Sequence, residues 1–275
     1  MSGPKYSRLT VPRRVKDDAV LGLIWLYGPL GFVEEGRDLV ACFREASDAR
    51  GAGDALASGG VAFELTTDIP EGDPLETFRA ASRPFPVGRR FWIDPGDPSD
   101  SAAPAARIAL RLPASRAFGT AGHESTRLAL YALEDEALDG VSVLDAGTGS
   151  GVLALAAAAL GARRAVGFDT DAEAVFVARE NLARHAFGAR VSLVAGPAAA
   201  LTGTFDVVVA NMLLEELLPL AANLRRRVAA GGRWIVSGIP SDRESETTRR
   251  LISRRFALDG RREENGWTSL VLRRA

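Results

Sequence analysis

The chain has 275 residues, 47% of them hydrophobic, and carries 34 basic against 35 acidic side chains for a formal net charge of −1. That length suits two domains or one large one, and the balanced charge argues against a nucleic-acid binder driven by bulk positive charge, which needs clustered Lys and Arg. The single cysteine, Cys42, excludes an internal disulfide, and together with His123 and His185 it makes no Cys/His zinc cluster, so no metal site is expected.

The N-terminal stretch MSGPKYSRLTVPRRVKDD lacks the apolar core of a signal peptide. No run of about 18 apolar residues free of charge follows it, so a cytoplasmic protein without a membrane span is expected. Ser7 to Val11 reads as a first strand. Ala19 to Leu26 is an apolar helical run, started by Asp17 and Asp18 and stopped by Gly28-Pro29. Phe32-Val33 and Leu39 to Phe43 read as two strands around a Glu-Gly turn, Ser47 to Ser58 as a short helix that its glycines weaken, and Val61 to Thr67 as an alternating strand. Strand–helix–strand–strand–helix–strand is the order of a ferredoxin-like α+β unit. Residues 1–93 are assigned to it and its connecting segment. Asp94 to Pro104 (DPGDPSDSAAP) is the expected linker, because three prolines among aspartates and small residues cannot build a core.

Residues 105–275 alternate strands with helices, which implies a mostly parallel sheet wrapped by helices, an α/β fold. The strands fall at Ser142–Leu144, Ala165–Phe168, Ser192–Val194, Val207–Ala210 and Trp234–Ser237, with a late pair near Phe256 and at Ser269–Leu272. Helices are expected over Gly151–Leu160, Ala172–His185 and Glu215–Val228, and another after the loop 117–124, with Ser125 or Thr126 near its start.

The segment VLDAGTGSG, Val143 to Gly151, is a strand running into a glycine-rich turn and a helix. Glycines there let backbone approach a ligand, and the helix N-terminus offers free N–H groups. Its glycines, Gly147, Gly149 and Gly151, are spaced G-x-G-x-G, with Val152 where the dinucleotide fingerprint G-x-G-x-x-G has its last glycine. Asp169 ends the second strand, 22 residues after Gly147, where a carboxylate can accept ribose hydroxyls. Asp171 is better suited to cap the helix from Ala172. Asn211 follows the fourth strand at its carboxyl end, where ligands sit in open α/β sheets, and it is also placed to cap the next helix.

These blocks resemble the PrmA family, bacterial lysine methyltransferases of the large-subunit ribosomal protein L11. AFGTAGHESTRLAL (117–130) is similar to the family's hallmark loop, VLDAGTGSGVLALAAAALGARRAVGFDTD to its cofactor block, and FDVVVANMLLEELLPLA with GGRWIVSGI to its fourth- and fifth-strand blocks. The resemblance implies a Rossmann-like S-adenosylmethionine methyltransferase domain with a seven-stranded sheet, behind a ferredoxin-like domain that recognises the substrate protein. It places Thr126, Gly147, Asp169 and Asn211 against S-adenosylmethionine and gives Asn211 a catalytic part in orienting the target amine. Ala121 departs from the glycine usual in the hallmark loop, and Asp73–Phe78 replaces a tryptophan-rich stretch.

The implied reaction is a direct displacement by a neutral amine. Lysine titrates near ~10.4 in water, and a desolvated pocket beside a sulfonium lowers that value, so no dedicated base is needed. Glu124 and His123 are the titratable loop residues, His123 the better suited to order the loop. Glu215 and Glu216 could draw a positive substrate or simply line a solvated first helical turn. A monomer acting on a ribosomal protein, without direct nucleic-acid binding, is expected. The rival readings are a methyltransferase of another protein, an RNA or a small molecule; a nicotinamide oxidoreductase, which the glycine spacing opposes; and a non-catalytic scaffold. An appended RNA-binding domain would be basic, whereas residues 1–95 hold 12 basic and 14 acidic side chains.

Overall fold

A computed structural model describes residues 5–12, 18–35, 38–70, 83–96, 103–113 and 121–275. Linker residues 97–102, the Asp73–Phe78 stretch and hallmark-loop residues 117–120 lie outside them. The chain divides into two compact units, Met1–Ser82 and Arg83–Ala275.

The first unit runs β1 (Lys5–Pro12), α1 (Asp18–Trp25), β2 (Gly31–Glu35), β3 (Asp38–Phe43), α2 (Ala46–Ser58) and β4 (Glu64–Pro70). Its sheet has the order β2-β3-β1-β4 with antiparallel neighbours, the expected ferredoxin-like arrangement. Every second residue of β1 (Ser7, Leu9 and Val11) is buried, as the pleat requires. Leu9, Val11, Ala41 and Phe43 pack with Val20 and Ile24 of α1 and with Ala49, Ala52 and Leu56 of α2. The glycines that weaken α2 on propensity answer to this packing. A Cβ at Gly51 would stand 2.7 Å from the Tyr27 ring, and one at Gly53 2.7 Å from the Phe63 ring. β4 starts three residues later than the pattern suggests, since the Val61 N–H is engaged by the Leu56 carbonyl at the end of α2, at 2.9 Å.

The second unit opens with a three-stranded sheet that periodicity did not reveal: β5 (Phe85–Val87), β6 (Phe91–Asp94) and β7 (Ile108–Arg111). The hairpin β5–β6 is antiparallel and β6–β7 is parallel, so residues 85–94 pack with the chain beyond the proline-rich stretch. The units therefore divide at Ser82/Arg83 and not at the 94–104 stretch that composition singles out. Then come α3 (Glu124–Asp135), β8 (Ser142–Ala146), α4 (Val152–Ala159), β9 (Arg164–Asp169), α5 (Ala172–Ala183), β10 (Val191–Ala195), β11 (Phe205–Asn211), α6 (Leu214–Arg227), β12 (Val228–Pro240), α7 (Glu244–Leu251), β13 (Phe256–Glu264) and β14 (Trp267–Arg274).

These strands form one seven-stranded sheet, ordered β10-β9-β8-β11-β12-β14-β13. β10, β9, β8, β11 and β12 pair in parallel, and β14 runs antiparallel to both β12 and β13. β8 lies between β9 and β11, where the strand order reverses; ligands of such sheets bind at that point. The sheet buries side chains on both faces. One layer sets Val143, Val207, Val209 and Ile235 against α3, α4 and the small sheet; the other sets Leu144, Val208, Trp234 and Leu270 against α6. Among the described residues no helix is long and apolar enough to cross a membrane.

His185, at the end of α5, ties β7 to this core. Its Nδ1 lies 2.8 Å from the Asn181 carbonyl, which can only accept, so Nδ1 carries the proton and Nε2 accepts the Arg111 N–H at 2.9 Å. Burial holds its pKa below the ordinary histidine value. The folded state thus takes up this proton less readily than the unfolded chain. The bond contributes fully above about pH 6.5 and is lost as pH falls below that value. His185→Leu should cost about 0.5–1.5 kcal/mol at pH 7.5 by removing the bond to the Arg111 N–H. In thermal melts the gap to wild type should narrow on acidification to pH 5; a gap constant with pH would refute the assignment.

Candidate active site

The site is built where β8 ends. Gly147, Gly149 and Gly151 all take positive φ (70°, 51° and 81°), so the alternate glycines meet a backbone requirement that residues with a Cβ satisfy only at a cost. The turn closes as the Gly147 and Thr148 N–H groups both donate to the Phe168 carbonyl at 2.9 Å. A Cβ on Gly147 would come within 2.8 Å of Met212 Cε, which brings the residue after Asn211 against the turn.

Asp145, the acidic residue of the motif, is 0% exposed. Its Oδ2 accepts from Thr148 Oγ1 at 2.7 Å and from the Ala154 N–H at 3.1 Å, stitching strand, turn and α4 together. Its Oδ1 is buried without a partner. Burial pushes this carboxyl up to about 7; the bonds from Thr148 and Ala154 oppose the rise and the charge of Asp169 adds to it.

Asp169 ends β9 with both oxygens on backbone: Oδ2 accepts the Gly149 N–H and Oδ1 the Asp171 N–H, each at 3.0 Å. Its carboxylate therefore faces the glycine turn across the strand ends and keeps further lone pairs. Asp171 caps α5 by accepting the Glu173 N–H at 2.8 Å, the role its position suggests.

Asn211 ends β11 and is 7% exposed. It does not cap the following helix, whose cap residue is Leu213. Instead its Nδ2 donates to Thr126 Oγ1 at 3.0 Å, joining residues 85 positions apart, and its Oδ1 is left buried without a partner. Thr126, itself fully buried, lies in the first turn of α3. His123 caps that helix, its Nδ1 accepting the Ser125 N–H at 3.2 Å. Ser237, beside Asn211 in the β11–β12 ladder, donates to the Ser125 carbonyl at 2.7 Å. Thr126 and Asn211 are thus in direct contact, Asn211 is followed by the side chain that packs on Gly147, and Asp169 bonds to Gly149. Glu215 is exposed and paired with Arg243 at 2.6 Å, which lowers its pKa; Glu216 is exposed.

Residues 35–275 match the family model described as ribosomal protein L11 methyltransferase (PrmA). The chain belongs to the PrmA family. A ribosomal protein L11 methyltransferase of Pelobacter propionicus is 42% identical over 222 residues, 77% of this chain and 70% of that protein. One of Geobacter sulfurreducens is 40% identical over 221 residues, 80% of this chain and 73% of its own length. The crystal structure of a ribosomal protein L11 methylase from Lactobacillus delbrueckii subsp. bulgaricus superposes with a TM-score of 0.64 at 29% identity, covering 70% of this chain and 99% of that one.

Ala121 stands where the PrmA hallmark loop usually has glycine, and it takes φ 63° while fully buried. The left-handed backbone that glycine would adopt freely is kept despite the methyl group, at a cost of about 1–2 kcal/mol. Sequence reasoning did not find Ser237 or the buried state of Asp145. A serine within a strand and an aspartate before a glycine turn carry no signal of burial until the neighbouring strands are in place.

The titration of Asp145 is testable. Its folded-state value lies above the ordinary aspartate value, so between them the folded state holds more protons, and its effect on stability improves as pH falls from 7 towards 4. Asp145→Asn keeps an acceptor for Thr148 and Ala154 and removes the titration. Denaturant midpoints of wild type should rise relative to this variant between pH 7 and pH 5. Parallel midpoints across that range would show that Asp145 stays ionised.

Proposed function

We propose that this protein transfers methyl groups from S-adenosylmethionine to amino groups, lysine included, of ribosomal protein L11. The observation that carries the reading is the buried Asn211–Thr126 pair at the carboxyl edge of the sheet, with Asn211 Oδ1 buried and unpartnered at the end of β11, in a chain of the PrmA family.

The residues present suit the cofactor. Asp169, at the end of β9, keeps carboxylate lone pairs for ribose hydroxyls, as in other nucleoside-binding α/β folds. Gly147 holds the turn at positive φ, and Thr126 bonds Asn211 at the end of the neighbouring strand. When bound, S-adenosylmethionine supplies an electrophilic methyl group on a sulfonium.

The chain's own residues then have to present an amine. Asn211 Oδ1 can accept from an amine N–H, and the Thr126 bond fixes the amide so that this oxygen, and not the NH₂, faces the incoming group. Orientation of this kind accounts for much of the acceleration in such transfers. The amine must arrive neutral, and partial desolvation among Asn211, Met212 and Thr126 favours loss of its proton. His123 caps α3, and Glu124 is held by Asn265 and Arg127, so neither is assigned as a base. In this reading the N-terminal unit recognises the substrate protein, and the enzyme acts in the cytoplasm as a monomer.

Asp169→Ala should abolish measurable S-adenosylmethionine binding by calorimetry while the circular dichroism spectrum is unchanged; retained affinity would remove Asp169 from the site. Asn211→Ala should lower kcat about 100-fold with a smaller effect on cofactor affinity. Equal losses in both would make it a binding residue only. Incubation with labelled S-adenosylmethionine and ribosomal proteins from an unmethylated source should place label on L11, located by mass spectrometry. Label on another protein, or none, would overturn the substrate assignment.

A further inference from the structure

The first turn of α3 is held from the sheet side by Asn211 and Ser237. Its outer side is held by something the reaction does not itself explain, the tip of the β13–β14 hairpin. Trp267, the first residue of β14, pairs with Pro240 at the carboxyl end of β12, so this tip stands at the ligand edge of the sheet. Asn265 and Gly266 take φ 47° and 84°, the two left-handed central residues of a tight hairpin turn.

Three contacts run from this tip to a single helical turn. Arg127 Nη2 donates to Glu264 Oε1 at 2.7 Å. Asn265 Nδ2 donates to Glu124 Oε1 at 3.3 Å. The Trp267 ring meets the ring of His123, the helix cap, edge to face at a centroid distance of 4.9 Å. Arg127 also reaches backwards, with Nη1 donating to the Gly122 carbonyl at 2.7 Å and Nη2 lying 3.4 Å from Glu124 Oε1. Its side chain is 20% exposed and that of Glu264 is 29% exposed, so water screens this pair only in part. One guanidinium therefore joins the residue before the cap, the first helical residue and the hairpin. It needs the planar fork of arginine, because the acceptors lie on different sides of it.

We infer that Arg127, anchored by Glu264, is a positioning residue for methyl transfer: it sets the first turn of α3 so that Thr126 meets Asn211 and the cofactor. The inference rests on the reading that Thr126 contacts the cofactor. A brace that served folding alone could lie anywhere along α3. The same hairpin pairs Arg262 with Asp135 at the far end of α3, whereas the three contacts of its tip, at the ligand edge, meet the turn that carries Thr126.

The test uses the full-length protein with S-adenosylhomocysteine as probe. Arg127→Met, Arg127→Lys, Glu264→Gln, the double variant Arg127→Met with Glu264→Gln, and Thr126→Ala are compared by calorimetry, steady-state kinetics and melting temperature. Arg127→Met should weaken the probe about tenfold and raise the KM for the methyl donor; Glu264→Gln, which removes the charge but keeps an amide oxygen as acceptor, should do so by less, and the double variant should be no worse than Arg127→Met, since Glu264 acts through Arg127. Arg127→Lys should recover little, because one ammonium cannot serve Gly122 and Glu264 together. Glu264→Gln, at the hairpin tip, keeps the test open if Arg127→Met fails to fold. Unchanged probe affinity and KM with only a lower melting temperature would overturn the inference, as would losses that multiply in the double variant. If Thr126→Ala binds the probe as wild type does, the reading of Thr126 falls and the inference with it. If Thr126→Ala is weakened while Arg127→Met and Glu264→Gln are not, only the coupling falls.

Discussion

A carboxyl group sealed from water holds the centre of the second unit. Asp145 Oδ2 takes a hydroxyl from Thr148 and an N–H from Ala154, which joins the end of the central strand to both the turn and the helix behind it. With strand and helix fixed, the chain between them must cross a short gap, and it does so through glycines with positive φ. That path brings the Gly149 N–H to Asp169 and leaves room for Met212 against Gly147. Burying a carboxyl this deeply is unfavourable for its ionised form, which is why it is bonded on one oxygen and pushed up towards neutrality.

The second constraint is the placing of α3. This helix is followed by the central strand, yet its first turn has to lie over the ends of β11 and β12. Two buried hydrogen bonds, from Asn211 and Ser237, hold it there. Its other end packs against the small sheet, where the Glu134 carboxylate accepts the Arg89 and Arg90 N–H groups at 2.9 Å. Residues 85–94 and 108–111 thus serve the second unit as a support for α3, which is the physical reason that they share its core.

The alternating pattern of strands and helices from Ser142 onward was legible in the sequence because each long element buries one continuous apolar stripe. The glycine turn and the places of Asp169 and Asn211 at strand ends were legible because both strands are marked by apolar runs that these residues close. Short strands were not: Phe85–Val87 and Phe91–Asp94 are too brief for a period to register. The proline-rich stretch marked a break in composition and not in packing, as the parallel pairing of β6 with β7 bridges it. The glycines of α2 misled on propensity because their reason, two aromatic rings at contact distance, lies in other elements.

By itself the sequence determined the order of elements, the two-unit plan, the family blocks and which residues stand at the strand ends of the sheet edge. Those features are local: they depend on periodicity, on glycine's freedom at φ above zero, and on position relative to a strand end. Tertiary structure alone decided that Asn211 bonds to Thr126 and does not cap α6. It also decided that Asp145 is fully buried and that Arg127 leans on the β13–β14 hairpin. Each of these is a contact between residues 85 or more positions apart, or a burial that several strands create together. Sequence spacing carries no record of such contacts, because they exist only once the sheet has closed around them.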